Sequence, residues 1–131
     1  MTALTAATLP TSSETTDTVI EVRFEDAWTP VCELAALLPG RGVAALLPDG
    51  TQIAVFLDRE GRPYAIGNRD PFTGAYVLSR GLLGSTGGVP FVASPLLKQR
   101  FELTTGRCLD DADGEENRVP VFPARTGPAA D

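Results

Sequence analysis

Between Tyr64 and Arg107 two short apolar runs each deliver a tight proline loop, Asp70-Pro71-Phe72 and Ser94-Pro95-Leu96-Leu97. Proline fixes its own φ and pushes the residue before it into extended backbone, so each X-Pro step ends a strand and begins a turn. The segment reads as strand, loop, connection, strand, loop, and the remainder of the chain has the same character. Ile20, Val22 and Phe24 alternate with Glu21, Arg23 and Glu25, the period-two signature of a half-buried strand. Val43–Leu47 and Gln52–Leu57 flank Pro48-Asp49-Gly50, which predicts a hairpin. Asp58–Arg62 is a charged turn before a strand at Tyr64–Gly67, and Glu33–Leu38 predicts a brief helical turn stopped by Pro39-Gly40. Asp26–Pro30 is expected to turn the chain, with Trp28 as a packing anchor.

With 13 Gly and 11 Pro in 131 residues and no long helical periodicity, the expected fold is one all-β domain of stacked antiparallel sheets. Residues 1–18 are polar and aperiodic and are expected to be a disordered tail, 19–123 the domain, and 124–131 a second tail. Inside the domain, Val77–Gly88 is the stretch expected to be most flexible, because its glycines permit positive φ. Its Gly spacing lacks the Lys-Ser/Thr ending of a phosphate loop. Val89–Ala93 and Gln99–Leu103 are the strands around the second loop, and Asn117–Phe122 closes the domain at an edge, where Pro120 is tolerated. Asp110–Glu116 holds five acids but lacks the helices and Glu spacing of a calcium loop, so it reads as a solvated acidic hairpin loop.

The formal charge of −6 argues against nucleic acid, which needs a basic face. The longest apolar run, Val43–Leu47, is too short to span a bilayer, and residues 2–18 have neither a secretory nor an Arg-rich transit pattern, so a cytoplasmic protein is expected. Cys32 and Cys108 share no metal-ligand spacing and read as buried free thiols, with a disulfide as the alternative. There is no His, so Ser-His and Cys-His nucleophilic arrangements are excluded. No catalytic constellation emerges, and function is expected to be exerted through a partner.

The two loops resemble the cluster-binding half of a Rieske iron–sulfur domain, in which Cys-Pro-His and Cys-Pro-x-His loops hold two irons. The overlay puts Asp70 and Ser94 where that family has Cys, and Phe72 and Leu97 where it has His. Phe and Leu offer no lone pair to iron, and a Ser hydroxyl is a poor substitute for thiolate. The motifs Asn68-x-Asp70-Pro71-Phe72, Leu78-Ser79-Arg80-Gly81, Ala93-Ser94-Pro95-Leu96-x-Lys98-Gln99-x-Phe101 and Leu103-x-x-Gly106-x-Cys108-Leu109 are similar, in order and spacing, to the small subunit of the assimilatory NAD(P)H-dependent nitrite reductase.

That resemblance implies a Rieske-like fold without its cluster, no cofactor in this chain, and a large-subunit partner carrying flavin (FAD), siroheme and a [4Fe-4S] cluster that reduces nitrite to ammonium. A degenerate Rieske-type ferredoxin-like binding module of another oxidoreductase, such as a dioxygenase, is the alternative. At the former ligand positions, Asp70 is expected to accept hydrogen bonds from loop amides, joined by Ser94, while Phe72 and Leu97 fill the apolar volume. Asp70 could instead pair with Arg69, Arg80, Lys98 or Arg100, and these four cations are a candidate docking patch.

Overall fold

The computed structural model describes residues 18–38, 40–110 and 117–128, and within them ten strands form three antiparallel sheets. The expected N-terminal tail up to residue 17 and the acidic stretch 111–116 lie outside the described residues.

The first sheet has the order β10-β1-β2, with β1 at Thr18–Phe24, β2 at Ala27–Glu33 and β10 at Ala124–Pro128. The alternation read from the sequence is realised in β1: Ile20 and Val22 are fully buried while Arg23 is exposed. Glu25 and Asp26 take positive φ (51° and 67°), which turns the chain in two residues and makes the segment after them a strand. The expected turn at Asp26–Pro30 is thereby corrected: most of it is β2, paired along β1 through a bulge at Ile20/Glu21. Trp28 sits on this sheet with the Arg125 guanidinium 4.1 Å and the Arg23 guanidinium 6.0 Å from its ring centre.

The second sheet is the middle of the molecule: β3 (Gly42–Leu46), β4 (Gln52–Leu57), β5 (Pro63–Gly67) and β9 (Val121–Phe122), in the order β3-β4-β5-β9. Every residue of β4 from Ile53 to Leu57 is buried, because the sheet is covered on both faces. Ile53, Val55 and Leu57 join Ile20 and Val22 in one core. Ala54 and Phe56, pointing the other way, join Ile66, Leu78, Val92, Phe101 and Cys108 in a second. That two-sided burial explains why β4 reads as an unbroken apolar run rather than an alternation. The helical turn expected at Glu33–Leu38 is a single 3-10 turn at Leu34–Ala36.

The third sheet, β6 (Leu82–Thr86), β7 (Val89–Ala93) and β8 (Arg100–Glu102), has the order β6-β7-β8. Val77–Gly88, expected to be the flexible stretch, is instead a 3-10 turn at Leu78–Arg80 followed by β6 and a Gly87-Gly88 turn in which both glycines have positive φ (56° and 82°). The strand was hidden because only Leu83 among its residues is partly buried, and Gly84 is needed where the Phe91 ring lies against the backbone. The C-terminal segment is also corrected. Ala124–Pro128 is a paired strand, held by its ladder to β1 and by an Arg125–Glu21 ion pair at 2.8 Å. The closing strand is shorter than read: only Val121 and Phe122 pair, against Ile66 and Ala65.

Candidate functional site

The two proline loops leave β5 and β7 side by side at one end of the third sheet. Asn68, 1 % exposed, anchors the first: its Oδ1 accepts from the Ser79 amide at 2.7 Å and its Nδ2 donates to the Tyr76 carbonyl at 3.3 Å. One buried amide thus ties the residues beyond the loop to the strand that enters it. The sequence placed Asn68 in a motif but gave it no role.

Within the first loop the Asp70 amide donates to the Ala75 carbonyl (2.8 Å) and the Gly74 amide to the Asp70 carbonyl (2.7 Å). The Asp70 side chain turns back on the chain, its Oδ1 accepting from the Phe72 amide at 2.8 Å. The second loop repeats the device. The Ser94 amide donates to the Gln99 carbonyl (2.9 Å), the Lys98 amide to the Ser94 carbonyl (3.1 Å), and Ser94 Oγ accepts from the Leu96 amide at 3.3 Å. In both loops the residue before proline caps the amide two positions on. These two residues then bond each other: Ser94 Oγ donates to Asp70 Oδ2 at 2.6 Å, with Asp70 fully buried and Ser94 1 % exposed.

The expectation that Asp70 takes loop amides and is joined by Ser94 matches this geometry, and its alternative, an ion pair with a nearby cation, does not. The expectation for the other two positions is corrected. Phe72 is 37 % exposed, its ring centre 6.2 Å from that of Phe101, and Leu97 is 54 % exposed. Both are left on the surface, and it is Asp70 and Ser94 that meet between the loops.

The donor set does not fit a [2Fe-2S] cluster. The four positions provide a carboxyl, a hydroxyl and two hydrocarbon side chains, and the first two are consumed by each other and by loop amides. The cysteines do not substitute for them. Both are free and they lie in different places, Cys108 within the core against the third sheet and Cys32 beside the other core. Burial, and then the neighbouring Glu33, pushes the Cys32 thiol up from its ordinary value, away from the thiolate a metal needs. Among the described residues no group of His, Cys, Asp and Glu converges to hold a metal.

The four cations fall into two kinds. Arg100 is committed internally: its guanidinium meets Asp110 at 2.7 Å and lies over the Phe91 ring, and its amide donates to the same carboxyl at 2.8 Å. Its hydrogen bonds, outweighing partial burial, hold the Asp110 carboxyl below the usual carboxylate range. Of the four candidate docking cations, Arg100 is thus already paired within the chain. Arg69, Arg80 and Lys98 are exposed, and among the described residues none forms an ion pair.

Three sheets sharing a central layer, with two proline loops joined at the end of the smallest sheet, define a Rieske-like domain, and the sequence profile of the Rieske-like [2Fe-2S] domain family matches residues 27–129. The nitrite reductase (NADH) small subunit of Salmonella typhimurium is 48 % identical over 104 residues, covering 75 % of this chain and 88 % of that protein. That of Escherichia coli is 47 % identical over the same shares. A Mycobacterium tuberculosis protein assigned as the NADH-dependent nitrite reductase small subunit has a crystal structure that is 46 % identical and superposes with a TM-score of 0.68, over 82 % of this chain and 86 % of that one. The chain belongs to the nitrite reductase small-subunit family, a branch of the Rieske-like domains. The nitrite reductase [NAD(P)H] large subunit of Klebsiella oxytoca also matches, 43 % identical over 98 residues that cover 75 % of this chain but 10 % of that protein.

Proposed function

We infer that this chain is the small subunit of an assimilatory NAD(P)H-dependent nitrite reductase and that it acts by docking on the large subunit, which carries out the reduction of nitrite to ammonium. The observation that carries the reading is the identity of nearly half the residues to named small subunits across most of the domain. The Klebsiella match supports the partnership, since a domain of this kind there forms a small part of a large-subunit chain.

The chemistry of the site fits a partner role. A carboxyl and a hydroxyl bonded to each other and to backbone amides hold loops in place; they neither transfer electrons nor activate a substrate. The flavin, siroheme and [4Fe-4S] cluster of the complex belong in this reading to the large subunit, and the setting is the cytoplasm. No helix among the described residues is long and apolar enough to cross a membrane.

The test is reconstitution. The purified large subunit is assayed for NAD(P)H-dependent nitrite reduction with and without this full-length chain. The reading expects a saturable gain in activity, and no nitrite reduction by the chain alone. An activity indifferent to the chain, together with no physical association, removes it.

A further inference from the structure

The end of the molecule that carries the joined loops is unlike the rest of its surface. From Arg69 to Lys98 the sole acidic residue is Asp70, which is fully buried and bonded internally. Over the same stretch Arg69, Arg80 and Lys98 are exposed, so a protein of net charge −6 turns a positive end outward. The apolar residues there are exposed as well: Phe72 by 37 %, Leu96 by 49 %, Leu97 by 54 % and Leu82 by 74 %.

The chain positions that carry the apolar residues meet at the joined loops. The amides of Phe72 and Leu96 donate to the two bonded side chains Asp70 and Ser94, and Leu82 pairs with Ala93, the residue before Ser94. Nor is the tip loosely held. Leu96 and Leu97 are lifted outward by a loop closed at both ends on Ser94, with Lys98 at a positive φ of 69° that a non-glycine residue adopts only under constraint. A loop backbone fixed in this way loses little freedom on binding, as befits an anchor. An exposed apolar cluster rimmed by unpaired charges of one sign has the composition of a protein interface.

We propose that the apolar tip around Phe72, Leu96 and Leu97, with Arg80 and Lys98 at its rim, seats in an apolar recess edged with carboxylates on the nitrite reductase large subunit. The occupant follows from the charge and from the family, and in that respect the proposal rests on the functional reading above. The leucines supply desolvated contact area, and the cations supply orientation and the rate of encounter. Positions that in a Rieske domain hold iron thus become, in this chain, the pegs of a protein joint.

The test is the affinity of the full-length chain for the isolated large subunit, measured for wild type and for variants of matching exposure. Leu96→Asp and Leu97→Asp are expected to weaken binding by about tenfold or more each. Arg80→Glu with Lys98→Glu is expected to slow association and flatten its dependence on salt. Leu38→Asp and Leu46→Asp, at leucines 63 % and 65 % exposed near the third strand, are the controls and are expected to bind like wild type. Because all these side chains are exposed, unchanged melting temperatures certify the folds. Wild-type affinity in the tip variants, alongside firm binding by wild type, overturns the docking face and leaves the functional reading standing. No binding by wild type itself overturns both. A chain dimer that dissolves in the tip variants while their large-subunit affinity is unchanged assigns the tip to a second copy and overturns the proposal.

Discussion

Removing the Ser94 hydroxyl leaves Asp70 Oδ2 without its partner in a place water does not reach, and it frees the Leu96 amide at the same time. A buried polar group left unsatisfied costs about 1–3 kcal/mol, so Ser94→Ala is expected to destabilise by that amount in chemical denaturation. Asp70→Ala orphans both the Ser94 hydroxyl and the Phe72 amide and is expected to cost at least as much. The double variant should cost clearly less than the sum, because each single change already breaks the same bond. Additive losses would mean that the two loops are held independently. The Asp110–Arg100 pair contributes to the acid response. Asp110 is held below the ordinary carboxylate range in the folded chain, chiefly by the Arg100 guanidinium, so its contribution is fully present above the unfolded-state value of about 3.9 and is lost as pH falls through the folded one. Asp110→Asn is expected to melt lower than wild type at neutral pH, with the gap closing in the acid limb; a gap that persists at low pH would contradict this. At this scale the sequence was informative about identity and less so about contact. The absence of His and the overlay of Asp70 and Ser94 on Cys positions could be read from residue types. The exposure of Leu97 and the capture of Arg100 by Asp110 could not: the first depends on how the loop between residues 94 and 99 is closed, the second on the long-range pairing of Phe101 with Cys108 that brings Asp110 alongside.

Elements were legible where burial follows one rule and hidden where it follows two. The first strand announced itself by alternation, and the Pro48-Asp49-Gly50 hairpin by its turn chemistry. Ala124–Pro128 did not: it holds Gly127 and Pro128 and no run of β-branched residues, and its place is set by β1 across the sheet rather than by its own propensity. Its removal is therefore informative. Ending the chain at Pro123 takes a ladder from β1, the Arg125–Glu21 ion pair and the Arg125 stack on Trp28. Thermal melting of that truncation is expected to fall by several degrees, since a loss of about 1 kcal/mol moves a domain of this size by roughly 4 °C or more. An unchanged melt would return the segment to the status of a tail. The centre of the middle sheet makes a stronger claim. Phe56, fully buried beneath the third sheet, is expected to cost about 3–5 kcal/mol on change to Ala, and the loss should fall on the loop-bearing half that shares its core.

As a whole the molecule is a Rieske-like scaffold whose two proline loops are joined by side chains. The first and second layers share one core and the second and third share another, so the loops at the far end are carried on a sheet packed against Phe56 and Ile66 of the middle layer. Two capped turns joined by one 2.6 Å hydrogen bond replace the bridge a cluster would make. The direct test is the iron and sulfide content and the visible spectrum of the full-length chain purified without oxygen, followed by its thermal melt with and without a strong iron chelator. A colourless protein with iron far below one atom per chain, melting cooperatively at the same temperature in both conditions, is the predicted result. Two irons per chain with Rieske-type absorption, or a fold that collapses on chelation, would contradict the account.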